Sequence, residues 1–248
     1  MDTLIQGGKY QVLEILEQHE DYKACLCIDV ETNNDYRPMI FNIYEKYENI
    51  RKFLPTFYSL NQEQHAEFIC IMSGQHSITA VFEYHSGIKF LNFFQQVDKE
   101  DFELRCKYAF LLLEVCLMLD TVPDFMAYSC LEPENIVISE KMQKVRINYI
   151  IRPLEIGNEP FKWRKIAFLL EHIFVKNRFV PNEIWDYIED LKQNRDDNIV
   201  GAFSRWKEIS GGLLEEHIRL KQEKFIFYCI RWLKSSFRQR LKRIFRKK

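Results

Sequence analysis

The chain has 248 residues, 47% of them hydrophobic and 29% charged, with a formal net charge of −1. That length buries one substantial core, or one two-lobed domain with an appendage, and the composition excludes a fibrous or disordered chain. The near-neutral total conceals an asymmetry: residues 224–248 hold ten of the 35 basic residues and no acid, so 1–223 carry 25 basic against 36 acidic, a net of −11. An acidic body with a cationic tail is a statement about partners.

The start, Met1-Asp2-Thr3-Leu4-Ile5-Gln6, has no basic stretch followed by an apolar run, so no secretory signal is expected. No apolar run approaches the roughly 20 residues of a spanning helix. Seven cysteines, an odd number set mostly among apolar neighbours, read as small core residues of a reducing cytoplasm. Cys25-Leu26-Cys27 lacks the CxxC spacing and the nearby histidines of a metal site. On an alternating strand its two thiols simply share a face.

Residues 10–16 and 22–30 alternate as strands, residues 31–35 form a polar turn, and residues 39–44 read as a third strand. A helix is expected near 49–60, weakened by Pro55. Short apolar strands follow at 68–72 and 78–84. From about residue 90 the period changes: 102–119 is apolar nearly throughout, as in a helix buried on most of its surface. A hairpin is expected from 135–139 and 144–149, then helices at 163–175, 183–191 and 202–209. Gly211-Gly212 is expected to break the chain before a last helix from Leu213 towards the end. Strands first and helices after, with one hairpin between, predict an α+β protein in two lobes.

Tyr128-Ser129-Cys130-Leu131-Glu132-Pro133-Glu134-Asn135, followed by an apolar strand, resembles the protein-kinase catalytic loop H-R-D-L-K-P-E-N. It sits after a buried helix and before a hairpin, as in that family. Phe82-Glu83-Tyr84-His85-Ser86-Gly87 resembles the inter-lobe hinge, and residues 163–175 resemble the central helix of the C-lobe. The resemblance covers about 8–210. It implies a protein-kinase-like fold with an N-lobe of about 8–84 and a C-lobe of about 88–210, and a C-terminal amphipathic helix is expected over 211–248.

The same resemblance implies that the chemistry is lost. Phosphoryl transfer rests on positioning and charge stabilisation, so its charged groups are not dispensable. The catalytic-base position holds Cys130, and the neighbouring lysine position holds Glu132. The metal-binding aspartate of D-F-G aligns with Asn148, and the lysine of V-A-I-K aligns with Asn42. Where a glycine-rich phosphate cradle belongs, the chain reads Glu17-Gln18-His19-Glu20-Asp21, with three acids and no glycine. No glutamate in the candidate helix is placed to pair with a strand lysine. Asn135, a second metal ligand in active kinases, is kept, and one ligand makes no magnesium site. The implied protein is a degenerate bacterial pseudokinase: not an enzyme, without a cofactor or metal. The alternative is an atypical ATP-dependent transferase with displaced catalytic residues.

In the tail, Ile226, Ile230, Leu233, Phe237, Leu241 and Ile244 are spaced 4, 3, 4, 4 and 3 apart, one apolar stripe on a helix. Arg231, Lys234, Arg238 and Lys242 run parallel to it, and Trp232 and Phe245 add aromatic weight. This pattern predicts a helix lying in an anionic membrane interface, with docking on the chain's own acidic body as the main rival. Nucleic acid is the least favoured partner, because its readers intersperse polar side chains among the basic ones. The expectation is a scaffold that binds a protein partner, peripheral at the inner face of the cell membrane. Degenerate kinase-like domains occur in bacterial membrane-associated secretion and signalling assemblies. The likeness to the pseudokinase subunit of type VII secretion systems is one of architecture only.

Overall fold

The computed structural model describes residues 4–5, 9–31, 37–60, 67–153, 162–193 and 198–223. The expectations placed on the tail, residues 224–248, lie outside these.

The first half forms one antiparallel sheet. Its strands are β1 (Leu4–Ile5), β2 (Tyr10–Gln18), β3 (Tyr22–Asp29), β4 (Met39–Tyr44), β5 (Phe68–Ser73) and β6 (Ile78–Glu83), in the order β1-β2-β3-β4-β6-β5. Alternation sorts the side chains. Tyr22, Ala24, Tyr44, Ala80 and Phe82 point into the main core, while Cys25, Cys27, Phe41 and Val81 form a second cluster on the other face. Helix α1 (Tyr47–Ser59) lies against the core face through buried Phe53 and Phe57. Pro55 stands inside α1. Burial of the two phenylalanines on one stripe, with Tyr44 stacked on Phe53 at 4.6 Å between ring centroids, offsets the backbone bond the proline removes.

The linker Tyr84–Gly87 leads into the second half. A Cβ on Gly87 would stand 2.7 Å from the Ile138 carbonyl oxygen, so only glycine lets the linker pass this close to the next strand. A small sheet follows: β7 (Ile88–Lys89), β8 (Ile136–Ser139) and β9 (Lys144–Ile147), with β8 central. Around it pack α2 (Phe90–Gln96), α3 (Phe102–Leu117), α4 (Asp124–Cys130), α5 (Lys162–Ile173), α6 (Asn182–Lys192) and α7 (Ile199–Gln222). Asp101 caps α3 by accepting from the Leu104 amide at 3.0 Å. The buried guanidinium of Arg105 donates to the carbonyls of Val97, Asp98 and Ile173, tying the start of α3 to the end of α5.

The expected two-lobed α+β architecture is present. Three features depart from the sequence reading. The short strands β1 and β7 have too few residues to show a period. Helix α4 covers the start of the catalytic-loop segment, up to Cys130. Gly211-Gly212 does not break the chain: α7 is one helix of 24 residues. Asn198 caps it by accepting from the Gly201 amide at 2.7 Å, and Trp206 before the glycines and Leu213, His217 and Leu220 after them are all buried. Those anchors on both sides outweigh the roughly 2 kcal/mol that two helical glycines cost. The boundary drawn between 210 and 211 therefore falls inside a packed helix, which ends at Glu223 in extended backbone. No helix among the described residues is long and apolar enough to cross a membrane.

Candidate functional site

The site lies in the cleft between the large sheet and the helical half, where the two halves meet along residues 148–152. Strand β4 projects Asn42 into it, flanked across the sheet by Ala24 on β3 and Ala80 on β6. Two alanines leave space for the carboxamide, which is fully buried. Its Oδ1 accepts from the Tyr22 hydroxyl and the Ile151 amide, each at 2.8 Å, and its Nδ2 donates to the Tyr149 carbonyl at 2.8 Å. One turn of the pleat away, the Tyr44 hydroxyl donates to the Ile151 carbonyl at 2.6 Å. The chain after β9 is thus sewn to the sheet as if it were a ligand.

Asn148 opens that segment and faces the linker. Its Oδ1 accepts from the His85 amide at 2.8 Å, and its Nδ2 donates to the His85 carbonyl at 3.1 Å. Both main-chain groups of this linker residue are consumed by one side chain. The Asn148 amide in turn donates to the Asn135 carbonyl at 2.7 Å, and Asn135 spends its own Nδ2 on the Ser129 carbonyl at 2.8 Å. Tyr149 lays its ring on Phe82 at 5.1 Å between centroids, tilted by only 6°. The ring is buried, and burial pushes its phenol far above the ordinary range.

The remaining candidate positions are equally occupied. Cys130, at the end of α4, is wholly buried, and desolvation pushes its thiol well up, the opposite of an activated nucleophile. Glu132 pairs with Lys165 of α5 at 2.8 Å, and that ammonium also lies 4.7 Å from the centre of the Tyr128 ring. At the β2–β3 turn, Glu17 takes Arg152 at 2.7 Å, a bond from the sheet to the far end of the cleft segment, and His19 at 2.6 Å. Beside it are two open cavities. One, of about 490 Å³, is lined by Glu17, His19, Asp21, Arg152 and Pro153. The other, of about 400 Å³, is lined by Glu20, Asp21, Glu45 and Lys46.

The structure therefore brings Asn42, Asn135 and Asn148 together, but around residues 148–151 and not around open space. A magnesium nucleotide does not fit this donor set. The three amides are bonded to the chain itself, no carboxylate among the described residues bonds to them, and the turn that would face a polyanion presents acids. Among the described residues no group of three or more His, Cys, Asp or Glu is placed to hold a metal ion. The sequence reading missed Tyr22, Tyr44, His85, Tyr149, Arg152 and Lys165. Only the first two left a signal: on β3 and β4 they share the face of Ala24 and Asn42, so a polar cluster under the sheet was legible from alternation.

No protein-family model and no curated protein matches the sequence. Among solved structures, the crystal structure of Rad53 residues 1–466 in complex with AMP-PNP is similar, with a TM-score of 0.58 over 81% of this chain at 14% identity. Rad53 is a protein kinase. This chain has a protein-kinase-like fold. It covers 66% of the Rad53 chain, just under two thirds, and at that identity the likeness concerns the fold alone.

Proposed function

We propose that the chain is a pseudokinase: a non-catalytic interaction protein that uses a kinase-like fold as a scaffold. The observation that carries this reading is Asn42. At the position where the family resemblance expects a phosphate-binding lysine, a buried carboxamide makes three hydrogen bonds, two of them to residues 149 and 151, and so closes the cleft with the chain's own backbone. Opening the cleft to a nucleotide would break the two bonds from Asn42 to residues 149 and 151, the two between Asn148 and His85, and the Tyr44 bond. Each costs about 1–3 kcal/mol if its partners stay buried and unpaired. Cys130 as a buried neutral thiol and Glu132 neutralised by Lys165 support the same reading.

Thermal shift and label transfer with Mg-ATP test this. The expected result is no magnesium-dependent rise in Tm and no phosphate transferred to the chain or to a generic acceptor. A clear shift together with label transfer would overturn it in favour of the atypical transferase.

The second part of the proposal concerns placement. The basic, striped tail supports a peripheral position on an anionic membrane at the cytoplasmic face, where the protein partner is met. Six free cysteines among the described residues suit a reducing compartment. Flotation with phosphatidylserine-containing vesicles tests it. Charge reversal at Arg231, Arg238 and Lys242 is expected to abolish flotation, and unchanged flotation would remove the membrane from the proposal.

A further inference from the structure

Helix α7 carries an exposed stripe beside its packed face. Val200, Lys207, Gly211, Leu214, Ile218 and Lys221 are spaced 7, 4, 3, 4 and 3 apart, so they share one face, and all six are exposed. Val200 is 56%, Leu214 41% and Ile218 50% accessible. The adjoining face buries Trp206, Leu213, His217 and Leu220, with the His217 ring stacked on Phe102 at 4.3 Å, so the rotation of α7 is fixed and the stripe lies exposed along the edge of the packed face. No acid of α7 itself lies on the stripe; Glu208 and Glu215 fall to one side, and Glu100 pairs with Lys221 at 3.3 Å. The Lys207 ammonium lies over the Phe203 ring, 4.6 Å from its centre, and 5.8 Å from that of Phe110.

The position of the stripe in the chain supplies the partner. Basic residues without an intervening acid begin at Lys224, six residues after Ile218 and ten after Leu214. Helix α7 ends at Gln222, so Ile218 and Leu214 stand about 6 and 12 Å along it from the end that leads into the cationic run. Any anionic surface that captures the run brings the end of α7 to about one screening length, roughly 8–10 Å. What arrives there is an exposed apolar pair, Leu214 and Ile218, joined to a cationic run, the composition of an interfacial segment.

We propose that Leu214 and Ile218, with Val200 and Lys207 further along the same face, are the folded body's own contact with an anionic lipid surface. The inference rests on the membrane reading of the tail. It assigns the C-lobe, through α7, as the side that faces the lipid, and so orients the large sheet away from it.

The test is flotation of the full chain with vesicles of phosphatidylcholine and phosphatidylserine, comparing wild type, Leu214→Glu/Ile218→Glu and Leu214→Ser/Ile218→Ser. Both variants change exposed positions and are expected to keep the wild-type Tm. The glutamate pair is expected to lower vesicle partition about tenfold or more, and the serine pair to lower it less. Wild-type partition of the glutamate pair, with flotation still abolished by charge reversal at Arg231, Arg238 and Lys242, would overturn the inference and leave the tail reading standing. Flotation that survives the charge reversal overturns the tail reading itself. If the glutamate pair floats normally but converts a dimer to a monomer in light scattering, the stripe belongs to a second copy of the chain, and the lipid assignment is overturned.

Discussion

Asn42 occupies a place where an amide is worth more than a charge. Its neighbours across the sheet are Ala24 and Ala80, it is fully buried, and its bonded partners are a hydroxyl, an amide and a carbonyl. A carboxamide offers one acceptor with two lone pairs and donors on the same plane, which matches that set; a lysine there would be a buried cation without an anion. Asn42→Ala leaves three buried polar groups unpaired and is expected to lower stability by about 3–5 kcal/mol, read as a shift of the urea midpoint. A loss below about 1 kcal/mol would mean that the segment 149–151 is not held by this side chain.

The phenols nearby set the response to pH. Burial pushes Tyr22, Tyr44 and Tyr149 far above their ordinary value of 10.0, and Cys130 well above 9.0. In each case the folded state holds its proton more tightly than the unfolded state. Stability is therefore complete below about pH 9 and falls as the unfolded chain begins to ionise above it, by up to about 1.4 kcal/mol per pH unit for each group. Tm is expected to be level from pH 7 to 8.5 and to drop steeply by pH 10.5. Tyr44→Phe removes one titrating group and the bond to Ile151, so it lowers Tm at neutral pH but flattens the alkaline slope.

At the scale of elements, α7 shows how tertiary packing overrides a local breaker. Gly211 and Gly212 are exposed, and a Cβ at either would meet nothing within 4 Å. Since they sit in regular helix, Gly211→Ala/Gly212→Ala is expected to stabilise the protein by about 1–2 kcal/mol, a rise in Tm visible by calorimetry. A fall in Tm would mean that the pair adopts the break that two adjacent glycines invite. The same continuity governs the design of truncations: a chain ended at Gly211 would lose Leu213, His217 and Leu220 from the core, so tail function is better probed by charge reversal in the full chain. Gly87 is the contrary case, a glycine required by contact, because the linker passes β8 too closely for any side chain.

For the molecule as a whole, the segment 148–152 joins the halves at several places at once. Asn148 holds the linker, Tyr149 stacks on Phe82, Ile151 bonds to Asn42 and Tyr44, and Arg152 reaches Glu17 at the far turn. The last of these is partly exposed and contributes at most about 1 kcal/mol; the buried amides carry the closure. The Mg-ATP experiment belongs to this scale. A cleft bridged internally gains nothing from a bridging ligand, so a flat thermal shift is what the geometry predicts, whereas a site with an open pocket would rise with ligand concentration.

Sequence by itself determined the order of the longer elements and the kind of fold, because alternation in 10–44, the apolar run of 102–119 and the spacing of Leu131, Pro133, Glu134 and Asn135 are local signals that need no partner to be read. It also marked Asn42, Cys130, Glu132, Asn135 and Asn148 as substituted positions of a resemblance. What those residues do instead was decided only in three dimensions. Asn42 meets Tyr149 and Ile151 across 107 and 109 residues of chain, and Asn148 meets His85 across 63. A buried amide advertises that it needs partners but not which, since hydrogen-bonding capacity is common to every backbone group. The choice falls to whichever groups the packing of the two lobes brings within about 3 Å, and here that was the chain's own cleft segment.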